Sequence, residues 1–280
     1  MVGPRAAPPR QESFGADYQV CLPYGGAFLW HVGRDAIVAD ANQVLFVAGG
    51  EGYRMSRPIE GGYAELIVTV PPALLAELLG VGERQVAAHA LFRRRCRLAE
   101  KRLQWLGARG LHGSRRAGWD GLASEEWLVA FLRASLAVRT DAMGASPSTI
   151  RSLARAKEYL TANLASPVRL SHVATAARTS PAYLTTLFSR LEGVSLHQYL
   201  VQLRLARSLV ELPHASDITR LASDLGFSTH SHFTSSFRRA FGCTPSAYRD
   251  STQRECAATR LRGRMVERSR QRAQPSSDTN

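Results

Sequence analysis

The fold is decided by two stretches that repeat one pattern, LSHVATAARTSPAYLTTLFSRLEG at residues 170–193 and ITRLASDLGFSTHSHFTSSFRRAFG at residues 218–242. Leu170 aligns with Ile218 at an offset of 48, and Phe188 aligns with Phe237 at 49, after one inserted residue. Each copy is typical of a short apolar helix, a tight turn that ends in a Ser or Thr N-cap, and an amphipathic helix that a glycine ends. The repeat therefore predicts two helix-turn-helix units.

The second helix of each unit has one apolar and one polar face. The residues predicted to point inward are Tyr183, Leu184, Leu187, Phe188 and Leu191 in the first unit and Phe233, Phe237 and Phe241 in the second. Those predicted to face outward are Ala182, Thr185, Thr186 and Ser189 in the first and His230, Ser231, Thr234 and Ser235 in the second. Small hydroxyl residues flanked by arginines let a helix enter the major groove and reach base edges.

Phosphate contacts are predicted at the edges of the same faces. Their candidates are the two capping residues and three arginines, namely Ser180, Thr229, Arg190, Arg238 and Arg239. The segment between the units, Ser195 to Leu212, has apolar residues at helical spacing. About 18 residues at 1.5 Å each make a strut of roughly 27 Å. Such a strut holds two helices near one DNA turn apart, about 34 Å, and a shorter spacing requires bent DNA.

Charge points to the same half of the chain. The 280 residues carry 36 Lys and Arg against 23 Asp and Glu, a net of +13. Residues 1–147 hold 17 basic and 14 acidic residues, whereas residues 148–280 hold 19 and 9. This excess favours a polyanion, here double-stranded DNA, as partner of the C-terminal half. No apolar run has the length of a membrane span, so we expect a cytoplasmic protein that does not bind membranes.

Cysteine and histidine patterns give no sign of a metal site or a cofactor. The cysteines, Cys21, Cys96, Cys243 and Cys256, are scattered and form no CxxC pair, so buried or incidental thiols are the better interpretation. On a helix, a spacing of two residues points His230 and His232 away from each other. We therefore expect no bound metal, no cofactor and no catalytic residue.

The N-terminal half alternates short apolar stretches with Gly-rich or charged turns. The predicted strands are Tyr18 to Leu22, Ala27 to Val32, Val44 to Ala48 and Ala64 to Val70, which indicate a small antiparallel sheet or half-barrel. Helices are predicted after Pro71, over His89 to Leu106 and over Ser124 to Val138. The aromatic residues of the last two helices fit either a core or an interface with a second copy of the chain. Trp30 and His31 are weak candidates for ligand contacts, with ordinary strand residues as the alternative.

The C-terminal region resembles the DNA-binding domain of the AraC/XylS family of bacterial transcription regulators, over about residues 150–250. The resemblance rests on Gly226-Phe227, Phe233, Phe237, Phe241-Gly242, Pro245 and Tyr248-Arg249, with SPAYLTTLF in the first unit and Tyr199-Leu200 and Arg204 in the linker. It implies seven helices and base contacts from Ala182, Thr185, Thr186, His230, Ser231 and Ser235. Thr186 and Ser235 stand where many relatives have arginine, so the resemblance does not carry a target sequence with it.

The N-terminal half, with VLFVAGGEGYRMSRPIEGG, is similar in layout to the cupin-like sensor and dimerisation domains that precede this module in the family. That similarity implies an unknown small-molecule effector and a homodimer that pairs through the helices of residues 89–139. RNA polymerase is a further partner that the family implies.

The predicted fold class is α+β, with a cupin-like β half-barrel and helical dimerisation segment followed by an all-α domain. The predicted divisions are a flexible N-terminus (1–16), a sensor and dimerisation domain (17–140), a linker (141–148), a DNA-binding domain (149–250) and a basic, disordered tail (251–280). The predicted function is that of a sequence-specific, effector-responsive transcription regulator. Two alternatives stay open, namely a constitutive architectural DNA binder of low specificity, and an enzyme fused to a DNA-binding module, which would need an activated cysteine.

Overall fold

The structure, a computed structural model, describes residues 10–14, 17–32, 35–56, 63–114, 121–137 and 146–254. It has the predicted α+β architecture, with β-sheets in the N-terminal half and a helical C-terminal half. The strands are β1 (Arg10–Phe14), β2 (Tyr18–Gly25), β3 (Phe28–Val32), β4 (Asp35–Ala39), β5 (Gln43–Val47), β6 (Gly52–Ser56), β7 (Ala64–Val70) and β8 (Cys96–Leu98).

These strands form two antiparallel sheets, in the orders β1-β6-β3-β4 and β7-β2-β5-β8. Side chains alternate along β3, so that Phe28, Trp30 and Val32 are buried between the sheets with Cys21 and Leu45 of the facing sheet. The described strands make two open sheets rather than a closed barrel. The four strands predicted from sequence are present, whereas β1, β4, β6 and β8 were not predicted. Part of the segment predicted to be a flexible N-terminus therefore forms a strand, paired with β6.

Four helices cover the outer face of the second sheet. They are α1 (Pro72–Leu79), α2 (Ala90–Arg94), α3 (Lys101–Ser114) and α4 (Gly121–Leu136), with a 3-10 turn at Glu83–Gln85. Their core includes Phe46, Leu75, Leu103 and Phe131, each essentially unexposed. As predicted, α1 begins at the proline pair and ends at Gly80, which has a φ of 66°.

The prediction of one helix from His89 to Leu106 was wrong. Arg95 adopts a left-handed conformation (φ 68°), which ends α2, and the chain continues as β8 alongside β5. The arginine-rich sequence hides this break because its periodicity fits a helix. Arg97 is buried, and its guanidinium donates hydrogen bonds to the carbonyls of Ala134 and Ser135 at the end of α4. Arg97 thus caps the C-terminus of α4.

The C-terminal half consists of helices only in the residues that the structure describes. They are α5 (Pro147–Ala162), α6 (Leu170–Ala177), α7 (Pro181–Glu192), α8 (Leu196–Glu211), α9 (Ile218–Asp224), α10 (His230–Phe241) and α11 (245–254), with a 3-10 turn at Leu212–His214. Each helix-turn-helix pair has its own core, one around Leu184, Phe188 and Tyr199 and the other around Phe233 and Phe237.

The boundaries of this half differ slightly from the predicted ones. Helix α5 begins at Pro147, with Ser146 as its N-cap, so it includes the end of the predicted linker. Residues 251–254, assigned to the tail, belong to α11, where Gln253 donates a hydrogen bond to the carbonyl of Pro213. The remaining tail and most of the linker lie outside the described residues. Over the part of the chain that the structure covers, no helix combines the length and apolar character needed to cross a membrane.

Candidate nucleic-acid interface

The first helix-turn-helix unit, α6 and α7, is shaped by its turn. Arg178 ends α6 in a left-handed conformation (φ 54°), and Ser180 then caps α7, its Oγ accepting a hydrogen bond of 3.2 Å from the backbone N–H of Tyr183. Pro181 occupies the first helical turn, and Gly193 ends the helix at a φ of 69°. The predicted start and end of this helix are confirmed.

The second unit, α9 and α10, is built in the same way. Asp217 caps α9 by accepting hydrogen bonds from the N–H groups of Thr219 (2.8 Å) and Arg220 (3.2 Å). Thr229 caps α10 by accepting from the N–H of His232 at 3.0 Å. In both units the cap uses an oxygen lone pair, which leaves the hydroxyl hydrogen of Ser180 and Thr229 able to donate to a phosphate.

Helix α7 presents the predicted outward residues to solvent. Leu184, Leu187 and Phe188 are at most 1% exposed, which fixes the opposite face outward. The exposed residues on that face are Ala182, Thr185, Thr186, Ser189 and Arg190. Both threonine hydroxyls donate to the carbonyl of Ala182, at 2.8 Å from Thr185 and 3.3 Å from Thr186. Their lone pairs and methyl groups are therefore what the helix offers to a partner.

Tyr183 was wrongly predicted to point inward. It lies in the first turn of α7 with 49% of its surface exposed, next to Ala182. Periodicity assigned it to the core because it neighbours Leu184 and precedes Leu187 by four residues. The signal that could have corrected this is its position directly after the Ser-Pro cap, where the first helical turn projects beyond the core.

Helix α10 shows the same division of faces. Phe233 and Phe237 are unexposed, with ring centroids 5.8 Å apart, and Phe241 lies 4.8 Å from Phe237. The exposed residues are His230, Ser231, Ser235, Arg238 and Arg239. Thr234 departs from the prediction, because it is half-buried and its Oγ1 is shielded from solvent without a hydrogen-bond partner. Its hydroxyl does not belong to the outward face.

The charge on these faces is positive. The sequence of α10 contains no acidic residue, and the one acid of α7, Glu192, is buried in an ion pair with Lys157. Arg190, Arg238 and Arg239 are therefore not balanced by a carboxylate on their own helices. This arrangement suits a polyanionic partner.

The two faces are joined by α8, whose start is fixed by a capping box between Ser195 and Gln198. It has 16 residues, two fewer than the predicted segment, and at 1.5 Å per residue it is about 24 Å long. Arg204, in the middle of α8, donates to the carbonyls of Leu164 and Ser166 and so holds the connection between α5 and α6.

The two candidate ligand residues of the N-terminal half are not brought together. Trp30 is 1% exposed between the sheets, with its ring edge against Tyr53, and His31 lies on the other side of β3 with its Nε2 2.8 Å from Ser56 Oγ. A cavity of about 900 Å³ lies elsewhere, between β4 and β8 on one side and α5 and the end of α7 on the other.

The cysteines and the metal-ligating side chains of the described residues bear on two further kinds of site, a reactive thiol and a metal centre. Burial raises the pKa of the Cys21 thiol well above its usual range and that of Cys96 to about 11, which disfavours the reactive thiolate at both. Among the residues that the structure covers, no group of three or more His, Cys, Asp and Glu is arranged to hold a metal ion.

Comparison with known proteins identifies the class. A family profile described as a helix-turn-helix domain matches residues 173–251. The regulatory protein SoxS of Salmonella typhimurium is 33% identical over 93 residues, 33% of this chain and 87% of SoxS. The regulatory protein PocR of the same organism is 33% identical over 96 residues, 34% of this chain and 32% of PocR. An AraC-type transcriptional regulator from Chromobacterium violaceum is 29% identical in its solved structure, over 36% of this chain and 91% of that one, with a TM-score of 0.35.

The profile and the curated relatives identify a helix-turn-helix regulator. The chain belongs to the AraC family. The matched region spans about a third of the length of the first curated relatives.

Proposed function

We propose that the protein is a sequence-specific transcription regulator that binds promoter DNA through α7 and α10, each in one of two successive major grooves. The observation that carries this proposal is the pair of exposed faces, which bear hydroxyl side chains and unbalanced arginines on equivalent helices of two helix-turn-helix units. A major groove about 12 Å wide admits such a helix.

Side-chain chemistry separates the residues that contact phosphates from those that face the bases. Arg190, Arg238 and Arg239, with the capping hydroxyls of Ser180 and Thr229, hold phosphates and set the position of the protein on the duplex. Thr185, Thr186, Ser231 and Ser235, with Ala182, Ser189 and His230, face the bases. Because Thr186 and Ser235 replace longer donors, thymine methyl contacts and DNA shape contribute much of the selectivity.

The length of α8 adds a condition on the DNA. A strut of about 24 Å is shorter than the rise of one duplex turn, about 34 Å. The two helices therefore enter successive grooves most easily when the DNA bends towards the protein, which is cheapest at flexible pyrimidine–purine steps.

We propose a cupin-like sensory role for the N-terminal half (17–140), joined by the linker of residues 141–148 to the DNA-binding domain (149–250). A small effector would favour one arrangement of the two halves and so change the affinity for a promoter. The cavity of about 900 Å³ is large enough for a small molecule and is lined by both halves. Pairing of two copies through the helices of residues 89–139 is part of the same proposal.

A selection from genomic fragments tests the proposal. The purified protein is mixed with sheared genomic DNA at about 150 mM salt, and the retained fragments are sequenced. We expect a shared motif of two blocks about one helical turn apart. Fragments without a common motif would overturn the sequence-specific reading and favour the architectural binder, whose affinity no metabolite would change.

A further inference from the structure

A buried cluster of polar side chains joins the N-terminal half to the first helix-turn-helix unit and to α8. We call it the polar cluster, and its principal members are Asp40, Asn42 and Gln104 from the N-terminal half and Lys157, Glu192 and Tyr199 from the C-terminal half. Each is less than 10% exposed, except that Glu192 is partly open when its backbone is included.

The centre of the polar cluster is the contact between Asp40 and Tyr199. Asp40 lies in the turn between β4 and β5 and is entirely unexposed, as is Tyr199 on α8. The hydroxyl of Tyr199 lies 2.8 Å from Oδ2 and 3.0 Å from Oδ1 of Asp40, so it donates to the carboxylate. Oδ1 also accepts from the backbone N–H of Asn42 at 2.9 Å.

The backbone of α8 is held at the same point. Asn42 Nδ2 donates to the carbonyl of Tyr199 at 2.9 Å, and Asn42 Oδ1 accepts from Gln104 Nε2 on α3 at 3.0 Å. The turn between β4 and β5 thus forms hydrogen bonds with both the side chain and the main chain of Tyr199 on α8. Neither contact survives if α8 rotates or slides along its axis.

The C-terminal end of α7 is attached to the polar cluster as well. Glu192, the last residue of α7, pairs with Lys157 Nζ on α5 at 2.6 Å and accepts a hydrogen bond from Gln43 Nε2 at 3.2 Å. Gln43 Nε2 also lies 3.4 Å from the hydroxyl of Tyr199. The position of α7 relative to α8 therefore depends in part on the N-terminal sheets.

The second unit is attached to the N-terminal half through other contacts. The ring of Trp105 on α3 lies 5.7 Å from that of Phe241 at the end of α10 and 4.8 Å from that of Tyr248. His112 Nε2 lies 3.1 Å from the carbonyl of Leu209 near the end of α8. Helix α3 therefore contacts the polar cluster through Gln104 and the second unit through Trp105, one residue apart.

Loss of its partner costs a buried polar group more than it costs an apolar one. An apolar contact of the same area holds two surfaces together over a range of small shifts, whereas a buried carboxylate that loses its partner is costly. In the arrangement described, Asp40, Asn42 and Glu192 each have hydrogen-bond or ion-pair partners across the two halves. A protein whose two DNA-binding helices are already held in the binding arrangement loses less conformational entropy when it binds DNA.

We infer that Asp40 and Tyr199 are positioning residues for DNA recognition, which set the distance and angle between α7 and α10 and thereby the separation of the two DNA blocks that the protein prefers. This inference rests on the proposed function. It assigns a role in DNA selectivity to residues that do not touch DNA.

The test compares duplexes that differ only in spacing. Three duplexes carry the two blocks recovered from the genomic selection, at their natural separation and at separations two base pairs longer and two base pairs shorter. A fourth duplex carries one block alone. Two base pairs rotate one block by roughly a fifth of a turn, so we expect the wild-type full-length protein to bind the natural separation about tenfold more tightly. Tyr199→Phe removes one hydroxyl and Asp40→Asn one charge. In both we expect this preference to fall about threefold or more, with unchanged affinity for the single block.

Matched controls separate positioning from general loss of stability. Tyr159→Phe removes a hydroxyl from half-buried α5, and Glu51→Gln removes a carboxylate that pairs with Arg95 inside the N-terminal half at 2.6 Å. Both controls should keep the wild-type spacing preference. If Tyr199→Phe or Asp40→Asn does not melt cooperatively, Gln43→Ala is used in its place. This change removes only the longer hydrogen bonds of the polar cluster.

The outcomes are distinguishable. A wild-type protein that binds none of these duplexes more tightly than a random duplex contradicts the proposed function itself. A wild-type protein that discriminates between separations, together with folded Tyr199→Phe, Asp40→Asn and Gln43→Ala variants that discriminate equally well, overturns the inference and leaves the proposed function intact.

Discussion

The hydroxyl hydrogens of Thr185, Thr186 and Ser235 are held by carbonyls of their own helices. Each side chain therefore presents acceptor lone pairs, and the threonines also present methyl groups, to whatever lies in front of the helix. Such groups suit the amino groups of adenine and cytosine and the methyl group of thymine better than the acceptors of guanine. We therefore expect the bases to meet short, locally fixed side chains and the phosphates to meet arginines.

Arg238 is expected to act on phosphate. Arg238→Ala should weaken binding to specific and random duplexes by a similar factor and lower the slope of log K against log salt by about 0.9, the value for one phosphate contact. Titrations between about 50 and 200 mM salt measure this slope. Arg84→Ala, at an exposed site in the N-terminal half, is the matched control and should change neither quantity. An unaltered slope in Arg238→Ala would remove this residue from the interface.

Thr186 and Ser231 are expected to act on sequence. Thr186→Ala should change base preference within one block and Ser231→Ala within the other, each by about 1 kcal/mol or less, since a full bidentate contact is worth about 1–3 kcal/mol. Binding to libraries randomised at single positions measures the change. Preferences that stay the same in both variants would mean that shape rather than contact selects the site at these positions.

At the scale of elements, the turns determine how the helices are presented. Gly226 joins α9 to the turn before α10 at a φ of 81°, and a Cβ there would lie 2.8 Å from the carbonyl oxygen of Leu164 and 2.9 Å from that of Ala165. Gly193, at the end of α7, has a φ of 69° but open space around it. The two glycines therefore differ in packing and share the same backbone requirement.

This difference gives a prediction with a built-in control. Gly193→Ala should lower the free energy of unfolding by about 1 kcal/mol, the usual cost of a left-handed alanine. Gly226→Ala should cost more, on the order of 2–4 kcal/mol, because the backbone of the α5–α6 connection must also move. Urea unfolding of the two variants measures both values. Equal losses would contradict the close approach at Gly226.

The C-terminal elements could be predicted from sequence because their signals are local. Caps such as Ser180 and Thr229, the ending glycines and the spacing of Phe233 and Phe237 all act within a few residues. The break at Arg95 could not be predicted in this way, since it depends on the pairing of β8 with β5, about 50 residues earlier in the chain.

The exposure of the two helix faces, on α7 and α10, could be predicted for the same reason, and contact with DNA stays a prediction. Periodicity placed Thr185, Thr186, Ser231 and Ser235 correctly on exposed faces, and it failed at Tyr183 and Thr234, which lie at the margins of those faces. The polar cluster had no local signal at all. Asp40 sits in a short turn sequence, and its partner Tyr199 is 159 residues away.

At the scale of the whole molecule, the polar cluster makes the contact between the halves sensitive to pH. Burial raises the pKa of Asp40 from 3.8 to about 6, although Lys157, the N–H of Asn42 and the hydroxyl of Tyr199 lower it, and Glu192 adds a smaller increase. The folded protein therefore binds the Asp40 proton more tightly than the unfolded chain does between about pH 4 and 6. The free energy of unfolding should fall as pH rises through this interval, by up to about 3 kcal/mol.

The comparison that isolates this effect is between wild type and Asp40→Asn. The difference between their unfolding free energies, measured by urea at several values from pH 4 to pH 7.5, should change across the interval and become constant above about pH 7. Glu65, whose pKa burial raises to about 7, contributes a slope of the same sign to both proteins and cancels in the difference. Parallel curves for the two proteins would contradict a raised pKa of Asp40 in the folded protein.

A hydroxyl-radical footprint shows whether one chain contacts two successive grooves through α7 and α10. The full-length protein is footprinted on a fragment recovered from the genomic selection. We expect two protected blocks on one face of the duplex, centred about 10 base pairs apart. Loss of protection in Arg190→Ala should assign one block to α7, and loss in Arg238→Ala should assign the other to α10. A single protected block, or even protection without periodicity, would contradict contact with two successive grooves.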